Sequence, residues 1–190
     1  MSRDVTGPPD LVAQETGAWC FAAAEQMVRA YLNMEVPSQY GIAYASLMLL
    51  ISQGDPDLLL AWSTAAETDL LLAVDDDITP EQLEVSGNPP NPDSERVAMV
   101  KRTYGIFNHW DLGGAISSSC LPRDFREDIG SDKLVVIGNR NHYYVVYGYT
   151  DAGPFILRAR DPFPPGLGAG TRLIPWGDFN AWEYKVVIRF

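Results

Sequence analysis

The sequence contains only two cysteines, Cys20 and Cys120, and only two histidines, His109 and His142. Two thiols make no disulfide framework, so at most one bridge is available and a reducing compartment is expected. Two histidines set far apart supply no zinc site, and no cofactor is expected. Positive charge is also scarce. Lys and Arg number 14 against 25 Asp and Glu, for a net charge of -11. This balance argues against nucleic-acid or anionic-membrane partners and is read as serving solubility. Long apolar runs are missing as well: "LMLLI" and "LLLAW" are interrupted by polar residues and fall short of the ~20 residues of a spanning helix. The N-terminus "MSRDVTGPPD" has no basic-then-apolar signal pattern. The chain is therefore expected to have no membrane span, and to be cytoplasmic or exported without a classical signal peptide.

What is present suits a packed domain. The 190 residues are 46% hydrophobic and 21% charged, enough for a single domain over 1–190 with a real core. Apolar periodicity predicts an amphipathic helix over 18–32, with Ala24, Met27, Val28, Tyr31 and Leu32 on one face and Thr16 or Gly17 as its cap. Two further helices are predicted over 38–53 and 57–74, separated by the breaker "GDPD". "TPEQ" at 79–82 signals a short helix, and Ser94 starts another that Gly105 can stop. From Lys133 onward "KLVVIG", "HYYVVYGY", "PFILRAR" and "YKVVIRF" carry the β-branched and aromatic signature of strands. The fold class expected is α+β, with a helical lobe over about 11–105 and an antiparallel β lobe over about 121–190.

The residues with chemistry fall at the junctions of these elements. Cys20 lies where a loop becomes a helix, a position at which backbone N–H groups, the helix dipole and a nearby imidazolium favour a thiolate. Cys120, in "ISSSCLP", has no such helix behind it and is read as a packed or incidental thiol. His142 opens a strand, and Asp161 ends the next. A hairpin register that pairs Thr150 with Gly153 sets His142 directly opposite Asp161, within reach of a carboxylate–imidazole hydrogen bond. A slip of one residue would put them on opposite faces. Gln14 lies on the loop entering the Cys20 helix, where its amide can join the Cys20 backbone N–H as an oxyanion donor. His109, in "GIFNHWDLGG", is read as a loop or packing residue. Asp75, Asp76 and Asp77 form a solvated acidic run, and Trp110, Trp176 and Trp182 are core or cleft-wall residues.

The pattern Q-x5-C-[WF]-A-A at a helix start, followed by "NHYYVVYGY" and a strand ending in "DP", resembles the papain-like cysteine peptidases. The likeness is strongest to the C39-like and C70-like bacterial branches, which include AvrRpt2-type secreted effectors. It touches residues 11–32 and 121–182. The resemblance implies a cleft between a helical and a β lobe, with Gln14 as oxyanion donor, Cys20 as nucleophile, His142 as general base and Asp161 as the orienting residue. It implies a protein or peptide substrate and no metal. The same machinery serves a glutamine deamidase or transglutaminase-type toxin, and from another class the fold would serve as a catalytically silent peptide-binding module. Two departures stand out. Phe21 follows the cysteine in place of the more usual Trp, and Asn141 precedes the histidine where Gly is common, narrowing access beside His142. The 13 residues before Gln14 leave no room in this chain for an inhibitory propeptide of papain type.

Overall fold

A computed structural model describes residues 2–54, 56–65, 95–117 and 121–190. Within them the protein is α+β, with six helices and an open, wholly antiparallel sheet of seven strands. The helices are α1 (Cys20–Tyr31), α2 (Gln39–Ser52), α3 (Pro56–Thr64), α4 (Glu95–Arg102), α5 (Pro122–Gly130) and α6 (Trp176–Ala181). The strands are β1 (Ser2–Asp4), β2 (Ala115–Ile116), β3 (Val135–Gly138), β4 (Tyr143–Thr150), β5 (Ile156–Asp161), β6 (Gly170–Pro175) and β7 (Val186–Arg189). The sheet runs β2-β7-β3-β4-β5-β6, with β1 also pairing β4. β3 covers the first half of β4 and β1 the second half, so one long strand is paired along both edges. None of the helices among the described residues is long and apolar enough to cross a membrane.

The helix α1 forms because its first half is an Ala-rich run and its apolar residues recur at helical spacing. Phe21, Ala22, Ala23, Ala24, Met27 and Val28 are all buried. Each fully buried Phe, Met or Val contributes roughly 1.5–3 kcal/mol of transfer free energy. The cap differs from expectation. Trp19 is the N-cap and makes no side-chain capping bond. Thr16 spends its hydroxyl on the Ala18 N–H at 3.2 Å, one turn too early to cap the helix. The start of α1 is held instead by the Trp19 indole, which donates to the Val100 carbonyl at 3.0 Å. The second helix does have a cap of the usual kind, with Ser38 Oγ accepting from the Gly41 N–H at 3.0 Å.

The third helix stops at Thr64, well before the expected 74, and residues 66–94 lie outside the described ones together with the "TPEQ" helix and Ser94. The helix from Glu95 ends at Arg102, before Gly105. Gly105 serves another purpose, since a Cβ there would run into the Phe21 ring and Ser46 Oγ. The core is a single cluster spanning both halves of the chain, from Trp19, Phe21, Met27 and Leu47 to Val136, Val145, Leu157 and Ile188.

The β4–β5 register departs from the one expected. The loop is five residues long, Thr150 facing Ile156, and Val145 faces Arg160. The pairing shifts between Val146 and Gly148, a β-bulge that inserts Tyr147. Without that extra residue the ladder set at Thr150 would bring Asp161 opposite Val145, on the face away from His142. With it, the ladder continued one step past Val145 brings Asp161 opposite Tyr144, on the same face as His142. His142 and Asp161 are therefore diagonal neighbours rather than directly opposed. The bulge is backed by β1, where Gly148 faces Asp4. A Cβ on Gly148 would meet the Arg3 carbonyl oxygen at 2.9 Å as well as the Asp4 carboxylate, the partner of Arg158.

Gly148→Ala is expected to push β1 off the bulge and destabilise the protein by about 1–3 kcal/mol, the usual cost of forcing extra volume into a packed site. Urea unfolding monitored by circular dichroism measures this, and an unchanged midpoint would contradict the close docking of β1.

Candidate active site

The first residue of α1 is Cys20, so its backbone N–H is one of the four at the helix start with no intrahelical acceptor. No acidic residue lies in the first turn of this helix to neutralise the positive end of its dipole. The Cys20 side chain lies near enough to His142 to act on its protonation, and its Sγ lies 4.0 Å from the Asn141 carbonyl oxygen. Cys20 is only 2% exposed.

His142 reaches this point because β3 and β4 are joined by a tight turn. The Asn139 N–H donates to the His142 carbonyl at 3.0 Å. Asn139 Oδ1 in turn accepts from the Asn141 N–H at 2.9 Å and the His142 N–H at 3.0 Å. This side-chain mimic of a backbone turn fixes the residue just before the strand. The imidazole packs edge-on against Tyr144 with ring centroids 4.5 Å apart, and Phe163 flanks it at 6.3 Å.

Asp161 closes the chain of three. Its Oδ1 lies 2.7 Å from His142 Nε2 and also accepts from the Phe163 N–H at 3.0 Å. The carboxylate is buried and doubly held. Because Nε2 is engaged by Asp161, the ring nitrogen left to meet Cys20 is Nδ1. Burial works against a charged His142, but the hydrogen bonds from Asp161 and Cys20, and the charges of both, outweigh it and raise its pKa from 6.5 to about 9. The imidazolium is thus the favoured form at neutral pH.

Gln14 lies on the loop before α1, as expected, and is buried there. It is 1% exposed. Its N–H donates to the Pro162 carbonyl at 3.0 Å and its own carbonyl accepts from the Gly166 N–H at 2.8 Å. These bonds zip the loop before α1 to the segment just after Asp161. Its side-chain Nε2 donates to the Thr16 carbonyl at 2.6 Å, which leaves the second amide hydrogen, while Oε1 is buried with no partner. His142 and Asp161 are therefore hydrogen-bonded, Cys20 lies beside them and acts on the imidazole, and Gln14 is tied by its backbone to that neighbourhood.

Two positioning residues escaped the sequence reading. Asn139 shapes the turn before His142; "GNRNH" held that signal, since Asn favours such turns. Gln39, 2% exposed at the start of α2, accepts from the Glu15 N–H at 2.9 Å and donates to the Ala13 carbonyl at 2.8 Å. It clamps the backbone on both sides of Gln14, and no local signal marks a contact 24 and 26 residues away in sequence. Of the remaining candidates, His109 packs against Trp110 in a turn, and Trp176 and Trp182 pack on the core. Trp110 is instead half exposed. Cys120 and the acidic run at 75–77 lie outside the described residues. Among the described residues no group of three His, Cys, Asp or Glu side chains is placed to hold a metal ion. No protein-family model matches the chain, and no curated protein matches it.

Removing the Asp161 charge removes one influence that favours the imidazolium and weakens the hydrogen bond that is another, so the sign is downward. In Asp161→Asn the His142 midpoint, followed by NMR of the ring C–H signals, is expected to fall from about 9 toward the ordinary 6.5. An unchanged midpoint would mean that the carboxylate does not act on the ring.

Proposed function

We propose that this protein is a papain-like cysteine peptidase with Cys20 as nucleophile, His142 as acid and base, and Asp161 as the residue that orients and charges the imidazole. The observation that carries this reading is the imidazole of His142 hydrogen-bonded to a doubly held carboxylate beside the helix-start thiol, which also acts on it, with His142 raised to about 9. In the proposed reaction the Cys20 thiolate adds to an amide carbonyl carbon, and the carbonyl oxygen takes the negative charge. That oxygen is met by the Cys20 N–H and the free hydrogen of the Gln14 amide. The tetrahedral adduct collapses as the C–N bond breaks and the His142 imidazolium gives its proton to the leaving nitrogen. Water, with neutral His142 as base, then cleaves the thioester and restores the thiolate.

Substrate entry in this reading begins at the Arg140–Asn141 turn. The Asn141 carbonyl lies against the sulfur, so the turn must yield before a peptide carbonyl reaches it. Burial of the thiol is also the observation that favours the competing reading, a catalytically silent peptide-binding module in which Cys20 only packs. Alkylation separates the two. Under the peptidase reading, iodoacetamide modifies Cys20 quickly near neutral pH, and His142→Ala slows that modification by about ten-fold or more. Slow labelling with no dependence on His142 belongs to the silent module.

The reading is tested by incubating the protein with a peptide library and with Cys20→Ala as control, followed by mass spectrometry. Cleaved fragments that require Cys20 are the expected result; intact peptides with a glutamine amide converted to acid would indicate a deamidase on the same machinery. Gln14→Ala is expected to lower kcat by ~10²-fold. Because Gln14 is buried, it also loses about 1 kcal/mol of stability with its hydrogen bond. The comparison therefore belongs well below the melting temperature, where near-parental kcat would remove Gln14 from the oxyanion site.

A further inference from the structure

Open space stands beside Asp161 at the edge of the sheet. Gly170, the first residue of the edge strand β6, pairs with Asp161. A Cβ at Gly170 would meet nothing within 4 Å. Alternate residues of a strand share a face, so Arg172 rises on the same side of the sheet as Gly170 and Asp161. On the other flank of Asp161 is Tyr144, which packs edge-on against the His142 ring with centroids 4.5 Å apart. His142, Tyr144, Asp161 and Arg172 therefore share one face at one end of the sheet.

Two of these groups have polar atoms to spare. Of the eleven arginines, ten donate a hydrogen bond, pair with a carboxylate or lie over an aromatic ring. Arg172 does none of these among the described residues, although acidic side chains outnumber basic ones by 25 to 14. The Tyr144 hydroxyl likewise meets no hydrogen-bond partner among the described residues, and it is not sealed from solvent. The Arg172 and Asp161 charges both bear on that hydroxyl, so the guanidinium leans across the gap at Gly170 toward Tyr144. Asp161 is already paired with the His142 ring at 2.7 Å. A guanidinium fork next to an unpaired phenolic O–H is a donor set shaped for a carboxylate. The surface as a whole is too acidic to attract anions, so an anion held here is held by these two groups.

We infer that Arg172 and Tyr144 form a subsite for a carboxylate carried by the amine side of the substrate, either an acidic side chain or the free chain end. The assignment to the amine side rests on the peptidase reading: His142 hands its proton to the leaving nitrogen, so the segment that leaves lies toward His142 and the groups beyond it. Gly170 leaves the passage between ring and guanidinium clear. In a catalytically silent module the same pair would hold an acidic peptide.

The test has a binding arm and a turnover arm. Binding to the full chain carrying Cys20→Ala is followed through the His142 ring resonances, identified by their loss in His142→Ala. The probes imitate a released amine-side fragment: triglutamate amide, triglutamine amide, and triglutamine with a free C-terminal carboxylate. At least one of the two acids is expected to bind about five-fold more tightly than the neutral amide, the scale of an exposed ion pair. Which of them does so separates side chain from chain end. Arg172→Gln, at an exposed position, is expected to abolish the preference, and Tyr144→Phe, which keeps the ring against His142, to reduce it. In the turnover arm Cys20 is intact, and library peptides with a carboxylate within three residues after the cut are expected to be cleaved about five-fold faster than their amide counterparts, a bias lost in Arg172→Gln. Equal binding of all three probes, a preference that survives Arg172→Gln or stays whole in Tyr144→Phe, or equal cleavage of acidic and neutral peptides would each overturn the inference. Absence of all cleavage counts against the peptidase reading alone, and the binding arm then decides the subsite by itself.

Discussion

The packing of α1 directly on β4 is the constraint on which the candidate site depends. The contact can be close because the first turns of α1 are nearly all small: Ala22, Ala23 and Ala24 have no exposed surface. Short side chains let a helix approach a neighbouring element near the lower limit of packing distances. Cys20 is at the start of the helix and His142 immediately precedes the strand, so the packing determines where the thiol and the imidazole meet. A helix rises 1.5 Å per residue, and a one-residue slide of α1 along β4 would break that meeting. The Trp19 indole, anchored on Val100, opposes such a slide.

Around this contact the polar groups are over-determined. Asp161 is held by the Phe163 N–H as well as by the ring it orients, and Asn139 holds the backbone on which that ring sits. Gln39 fixes the loop carrying Gln14 from one side, and the Pro162 and Gly166 backbone fixes it from the other. Buried hydrogen bonds of this kind specify geometry more than they add stability, since each is worth only about 1 kcal/mol net. Their shared effect is a rigid surround for groups whose charges depend on one another. Both the carboxylate and the thiol raise the pKa of His142 against the effect of burial.

Periodicity and composition made four of the six described helices, α1 to α4, and the strands β3, β4, β5 and β7 legible, whereas the short helices α5 and α6 were not read from the sequence. The apolar run over 38–53 marked α2, and the β-branched runs marked β3, β4, β5 and β7. Short strands with exposed, polar or Pro-flanked sequences were not legible: β1 is "SRD" and β6 is "GTRLIP", and both exist because a neighbouring strand offers them a ladder. The placement of His142 beside Asp161 was anticipated through a register that the structure corrects. The β4–β5 loop is three residues longer than assumed, which alone would have sent the pair to opposite faces. The bulge at Tyr147 adds the one residue that returns them to the same face. That bulge lies where β1 docks against Gly148, a contact between segments far apart in sequence that no local pattern encodes. Gln14 was legible as a residue of interest, but its burial was not, for it is created by Gln39 and the loop after Asp161.

Acyl transfer through Cys20 is the central claim, and trapping the acyl group tests it most directly. An activated peptide ester is mixed with the protein, the reaction is quenched in acid within milliseconds to seconds, and the intact protein is weighed and mapped. The account predicts a thioester on Cys20 that forms in a burst, decays on longer incubation and is absent from Cys20→Ala. No adduct on Cys20, or an adduct of equal yield in Cys20→Ala, would contradict it.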